Sequence, residues 1–143
     1  MKLMVINGPN LARLDIRDSA IYGDLNYGEL KSLIEISAKS SGFEADVRQS
    51  NDEATIISWL HEAADAKTPV IINPAAFTHY SYAIRDAAEL LSAPLIEVHL
   101  SNPMAREEFR HTSVISGVAN GTIAGFGPNS YVLAINALKA LLG

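Results

Sequence analysis

Glu97 and His99 lie two residues apart in the run LIEVHL, Leu95 to Leu100. On an extended chain that spacing turns both side chains to one face. A carboxylate inside a buried parallel strand is costly unless it is paired. His99 is the nearest partner, and the carboxylate would orient its ring or stabilise its acidic form. An edge strand with Glu97 in solvent is the alternative; neighbours expected on both sides favour pairing. The next stretch, PMAREEFRH from Pro103 to His111, places Arg106 and Arg110 four apart, as on a short helix. A solvated charged face is the ordinary outcome for such a run. Beside His99 and Ser101, however, an arginine would hold a carboxylate by a charge-assisted contact. His79 and Asp86 are seven apart. That is about two turns if one helix covers both; a helix end with an exposed aspartate fits equally well. DIRDSAIYG, residues 15 to 23, has the period of neither strand nor helix, yet it holds Arg17 and Tyr22 five apart. Long loops in compact domains are usually functional or disordered.

The elements that must position these residues alternate. Leu3 to Ile6 is a short continuous apolar run ended by Asn7-Gly8-Pro9-Asn10, as in a strand buried on both faces. Asn26 and Glu29 resemble a capping box. Leu30, Leu33, Ile34 and Ala38 follow at helical spacing, with Gly42 as a stop. Phe43 to Gln49, Val70 to Ile72, Leu95 to Leu100 and Thr122 to Ala124 read as further strands. The helical stripes between and after them are Ile56, Ile57, Leu60, Ala63, Ala64; Ala83, Ile84, Ala87, Leu91; and Tyr131, Ala134, Ile135, Leu138, Leu142. Five alternations predict an α/β domain, flavodoxin-like and doubly wound, with a five-stranded parallel sheet in the order 2-1-3-4-5. Ligands of such sheets bind beyond the carboxyl ends of the strands at the switch point, here between strands 1 and 3. Asn10, Asn73, His79, His99 and Ser101 stand at or just past three strand ends. Asn, Pro and Ser are also ordinary turn residues, but three coincidences with two histidines favour a site.

At 143 residues the chain suits one domain, 1–143, and 48% hydrophobic residues supply its core. The net charge of -5 argues against a general nucleic-acid binder, not against a small anionic substrate. The absence of cysteine excludes thiolate nucleophiles and disulfides and fits a reducing cytoplasm. Leu3 to Ile6 meets Asn7-Gly8-Pro9 too soon for a signal peptide, and no apolar run approaches membrane-spanning length. GFGPNS, Gly125 to Ser130, lacks the third glycine of a dinucleotide fingerprint and reads as a turn and helix start. HEAAD, His61 to Asp65, is a near miss of H-E-x-x-H on a surface. Walker loop, nucleophile elbow and metal-ligand cluster are all missing.

VINGPNL at the first strand end, R-x4-YG on the next loop, QSN after strand 2, IINP…THYSYAIRDA and IEVHLSN…AREEFRH together closely resemble the type II 3-dehydroquinate dehydratases, over nearly the whole chain. The resemblance implies dehydration of 3-dehydroquinate to 3-dehydroshikimate through an enolate, without metal or cofactor, in a homododecamer built as a tetramer of trimers. It serves aromatic amino-acid synthesis or quinate breakdown. By motif position Tyr22 matches the family's base. A phenol with its ordinary pKa of about 10 is a poor base, and a nearby cation favours the phenolate. Arg17 matches the activating arginine and Arg106 a second one. Asn10 matches the residue that helps hold the enolate through a water. His99 matches the general acid, with Glu97 as its partner. Asn73, His79, Asp86 and Arg110 match substrate-binding positions, with Asp86 expected to serve a neighbouring subunit. Leu100 and Ser101 match the donors to the substrate carboxylate. The Arg17–Tyr22 loop matches a mobile lid.

The chain departs from the family pattern at Ala12, at Asp15 and Ala75 (both glycine in the family), at Ser19 (proline), at Asp52 and Ala54 within NDEA, and at Thr112. Asp15, two residues from Arg17, is expected to compete for it. Ser19 is expected to loosen the lid, so that opening and turnover differ from the family norm. A non-catalytic paralogue that binds a quinate-like ligand is the competing function; a flavodoxin-like nucleotide-binding module is a third, suggested by fold alone.

Overall fold

The structure, a computed structural model, describes residues 1–143. Its strands are β1 (Lys2–Asn7), β2 (Glu44–Gln49), β3 (Val70–Asn73), β4 (Leu95–His99) and β5 (Gly121–Ala124). All neighbours are parallel, in the order β2-β1-β3-β4-β5, as the alternation predicts. The helices are α1 (Ser19–Tyr22), α2 (Tyr27–Ser40), α3 (Glu53–Ala66), α4 (Tyr82–Ala88) and α5 (Asn129–Leu142).

The period of two in each strand divides the core. On one face Leu3 and Val5 of β1, Ile71 of β3, and Ile96 and Val98 of β4 meet Leu30, Ile34 and Ala38 of α2 and Tyr131, Ala134, Ile135 and Leu138 of α5. On the other, Met4, Ile6, Val70, Ile72 and Leu95 meet Ile56, Leu60 and Ala63 of α3 and Ile84, Ala87 and Ala88 of α4. Each fully buried Leu or Ile contributes about 1.5–3 kcal/mol. Because helices cover both faces, β1 is apolar without alternation. The capping box at α2 forms as expected, with Glu29 N–H donating to Asn26 and Asn26 N–H to Glu29. Edge strand β2 carries Arg48, which bonds Asp46 at 2.7 Å and Glu62 of α3 at 2.6 Å; such charges discourage edge pairing. Helix α4 is shorter than its stripe: Leu91 lies beyond its end, and Leu142 on α5 is 37% exposed.

The switch point is held by polar groups rather than by apolar packing. Tyr131 on α5 is fully buried; its hydroxyl donates to Asn7 Oδ1 at 2.6 Å and accepts from Asn73 Nδ2 at 2.9 Å. It thereby ties the ends of β1 and β3 together. One residue on, Gly8 N–H donates to the Asn73 carbonyl at 2.8 Å, and a Cβ at Gly8 would stand 2.6 Å from the Pro74 carbonyl oxygen. Only glycine fits that approach. Removing a buried hydroxyl while its partners remain costs about 1–3 kcal/mol. Tyr131→Phe is therefore expected to lower stability by about that amount in urea unfolding; an unchanged midpoint would show that Asn7 and Asn73 do not depend on it.

Candidate active site

Ten of the twelve residues singled out from the sequence line one cleft at the carboxyl ends of β1, β3 and β4: Asn10, Arg17, Tyr22, Asn73, His79, His99, Leu100, Ser101, Arg106 and Arg110. Glu97 lies behind His99, and Asp86 lies elsewhere, exposed on α4.

Residues 11–16 form a 3₁₀ segment and Ser19–Tyr22 the single turn α1, so the aperiodic stretch is two short helical pieces with Arg17 extended between them. Asp18 caps α1 through Ala20 N–H, and Ser19 takes its first position. Tyr22 ends it at Gly23, whose φ of 93° suits glycine. The Arg17 guanidinium stacks 3.5 Å from the Tyr22 ring centroid. Arg106 donates from one guanidinium nitrogen to the Tyr22 hydroxyl at 2.7 Å and from another to Ser101 Oγ at 3.2 Å. The phenol oxygen thus receives a cationic donor while a second cation covers the ring. Asp15 does not compete for Arg17. It pairs with Arg13 at 3.0 Å, and this exposed bidentate contact holds the Asp15 carboxyl below the usual carboxylate range.

Arg106 and Arg110 are not on one helix. The chain is extended at Arg106 and Glu107, between 3₁₀ turns at Pro103–Ala105 and Glu108–His111. Proline at the start of the first turn and the extended pair after it replace the expected i, i+4 geometry, yet both arginines still reach the cleft. Arg110 bonds Glu107 through Nε at 3.1 Å, which leaves its terminal nitrogens free of protein partners. His79 and Asp86 likewise share no helix. His79 ends the 3₁₀ turn Ala75–His79, Tyr80 breaks the helical path, and Ser81 caps α4. His79 Nδ1 donates to the Thr112 carbonyl at 2.9 Å, so position 112 acts through its backbone and its departure from the family pattern leaves this contact intact.

Asn10 takes a left-handed backbone (φ 70°), and its N–H donates to Asn51 Oδ1 at 3.0 Å. Gln49 Nε2 donates to the same oxygen and to the Gly8 carbonyl, both at 3.1 Å. The QSN segment therefore fixes the loop after β1. Asn73 Oδ1 accepts from Ala75 N–H at 3.1 Å, and with Nδ2 on Tyr131 only one amide hydrogen is left for a ligand. Ala75 is left-handed, φ 53°, at a cost of about 1–2 kcal/mol for a residue with a Cβ. The backbone N–H groups of Leu100 and Ser101 have no backbone acceptor, and both residues line the cleft.

Glu97 is 0% exposed. Its pairing with His99 is as expected: the ring Nε2 lies 2.5 Å from Oε2. The sequence reading missed the remaining partners. Thr78 donates to Oε2 at 2.6 Å, Ser116 to Oε1 at 2.6 Å, and Ser113 lies 2.9 and 3.0 Å from the two oxygens. Burial alone would push the carboxyl up; the His99 hydrogen bond and charge, with the Ser116 and Thr78 hydroxyls, outweigh it and hold Glu97 below its ordinary value. The signal for these partners was the buried carboxylate itself, which requires donors wherever the fold can bring them. GFGPNS folds as a turn into α5, and His61, Glu62 and Asp65 of HEAAD are exposed on α3 while Ala63 faces the core, both as read.

Residues 1–139 match the family model described as dehydroquinase class II. A 3-dehydroquinate dehydratase of Mycobacteroides abscessus is 56% identical over 140 residues, 98% of this chain and 97% of that protein. One of Salinispora tropica is 51% identical over 140 residues, 98% of each chain. The solved type II dehydroquinase of Propionibacterium acnes superposes with a TM-score of 0.94 at 47% identity, covering 97% of this chain and 96% of that one. The cleft whose tyrosine lies between two arginines is thus part of a chain that belongs to the class II dehydroquinase family.

Proposed function

We propose that the protein eliminates water from 3-dehydroquinate to give 3-dehydroshikimate, a hydro-lyase reaction. The observation that carries this reading is the Tyr22 phenol held by Arg17 and Arg106 in the same cleft as the His99–Glu97 pair. A proton next to a ketone must be taken by a base, and a hydroxyl must leave with a proton from an acid. Tyr22, as phenolate, is the base; Arg17 and Arg106 stabilise its charge before the transfer. The carbon's electron pair moves into an enolate, which Asn10 helps to hold. As the ketone re-forms, the enolate's electrons expel the hydroxyl, and His99 protonates it to water. Each turnover leaves a proton on Tyr22 and removes one from His99; exchange with solvent restores both.

The substrate carboxylate is received by the Leu100 and Ser101 N–H groups and the Ser101 hydroxyl. Asn73, His79 and Arg110 grip the hydroxyls and the remaining polar edge. Asp86 is too far along α4 to join its own cleft and serves that of an adjoining copy in a homododecamer, a tetramer of trimers. The ligand is a small molecule, and neither nucleic acid nor membrane has a part; no helix is long and apolar enough to cross a membrane. The whole chain, 1–143, acts as one catalytic domain, placed in the cytoplasm, and supplies aromatic amino-acid synthesis or quinate breakdown. A ligand sensor would have no use for a phenol between two guanidinium groups, and the pairing of Asp15 with Arg13 removes one motive for that reading.

The enone product absorbs in the ultraviolet, so absorbance should rise when 3-dehydroquinate is added. Tyr22→Phe should lower kcat by about 10²–10⁴-fold, the ordinary weight of a general base; an undiminished rise would refute the assignment. Asp15→Gly should leave kcat within about twofold, as loss of an exposed ion pair does, whereas Ser19→Pro, at a helix position that favours proline, should change kcat by more than Asp15→Gly does. Glu97 makes stability pH-dependent. Its folded value lies below the ordinary one, so its contribution is complete above about pH 4.5 and is lost as the pH falls through the lower folded value. Glu97→Gln should flatten that acid limb in denaturation measured across pH.

A further inference from the structure

The Glu97 carboxylate is surrounded by hydroxyls whose protons have nowhere else to go. Ser113 Oγ accepts from the N–H groups of Ile115 at 3.1 Å and Ser116 at 3.0 Å. Both its lone pairs are then occupied, and its one proton must point at Glu97. Ser116 Oγ accepts from Thr122 at 3.0 Å and donates to Oε1. Thr78 Oγ1, 2.8 Å from Ser113 Oγ, finds that oxygen already filled and donates to Oε2. All three protons converge on one side chain. A neutral Glu97 would carry a proton of its own, and its one remaining acceptor would be His99 Nε2. The surroundings thus favour the anion, as a preorganised oxyanion site does.

We propose that Thr78, Ser113 and Ser116 are positioning residues for the dehydration: by fixing Glu97 as an oriented anion they keep His99 donating from Nε2 and loaded for proton delivery from Nδ1. His99 Nδ1 has no partner within the protein, so it is the nitrogen available to a leaving hydroxyl. The proton released at Nδ1 leaves a neutral ring whose Nε2–H remains on Glu97. His79, Arg110 and His111 are the other titratable or charged groups beside this pair. None bonds Glu97: His79 is on Thr112, Arg110 on Glu107, and His111 on the Arg106 carbonyl. The charge of Glu97 therefore depends on His99 and the three hydroxyls. Thr78 comes from the turn after β3 and the two serines from the segment before β5, so the acid is set by parts of the chain that do not themselves line the main cleft.

The proposal rests on His99 being the acid of the dehydration, and its test separates the two ideas. The whole protein is labelled with ¹³C-carboxyl glutamate, and the Glu97 signal is assigned by its absence in Glu97→Gln. In the unsubstituted protein it should titrate below the ordinary glutamate value. In Ser116→Ala and Thr78→Val its midpoint should rise by about one unit, the weight of one lost hydrogen bond to an anion. kcat should fall across the working pH range, KM should stay within about twofold as for loss of a step-specific contact, and Ser116→Thr should restore kcat and the Glu97 midpoint. Ser113→Ala also frees two backbone N–H groups; Ser116→Ala and Thr78→Val keep the test decisive if it unfolds. Lower thermal stability with an unmoved Glu97 titration and an unmoved kcat profile would overturn the proposal. A shifted Glu97 with no dehydratase activity in the unsubstituted protein would instead refute His99's role and leave the effect of the hydroxyls on Glu97 established.

Discussion

A full negative charge sits in the middle of a parallel sheet with no exposure to water, and much of the cleft's far side is arranged around it. Glu97 on β4 has β3 on one side and β5 on the other, so solvation must come from the protein. It comes from His99 on the same strand face, from the turn that follows β3 and from the segment that leads into β5. Taking an ion out of water costs several kcal/mol even after relaxation. That penalty is tolerable here because the carboxylate is surrounded by directed donors, and because the apolar layers on both faces carry the stability of the domain.

The opposite wall of the cleft follows a different rule. Tyr22, Arg17 and Arg106 are partly exposed, and no strand holds Tyr22. It ends a one-turn helix and is oriented by an arginine 84 positions away. Rigid elements thus present His99, and a short peripheral segment presents Tyr22. A segment with few buried apolar residues opens at low cost, which suits a wall that must admit a substrate and then cover it.

How far the sequence disclosed this differs from residue to residue. The sheet order was legible because apolar runs and helical stripes obey local periods that tertiary context has no reason to override. Glu97 with His99 was legible because a carboxylate in an apolar strand contradicts its surroundings. Arg106 beside Tyr22 was legible only through the family resemblance, since a contact across 84 positions leaves no local trace. The hydroxyl partners of Glu97 were hidden for another reason: serine and threonine in loops are ordinary, and only the fold shows which of them turn inward. Of the two readings of His79–Asp86 the helix end with an exposed aspartate holds, because Tyr80 breaks the path, and the expected helix through Arg106–Arg110 failed at Arg106–Glu107, where extended backbone interrupts a spacing that looked periodic. Asp15 was misread because two arginines lay equally close in sequence, and only geometry could choose Arg13.

That choice alters how an anion meets the entrance. With Asp15 on Arg13, the segment from 13 to 18 carries two positive side chains, Arg13 and Arg17, and two negative ones, Asp15 and Asp18. A glycine at position 15 would leave it net positive. Charged entrances speed the diffusional encounter of oppositely charged ligands, and dissolved salt screens that attraction over about 10 Å at ordinary ionic strength. Here the rim segment projects little net field, and the next cations an approaching anion meets are Arg106 and Arg110, inside the cleft.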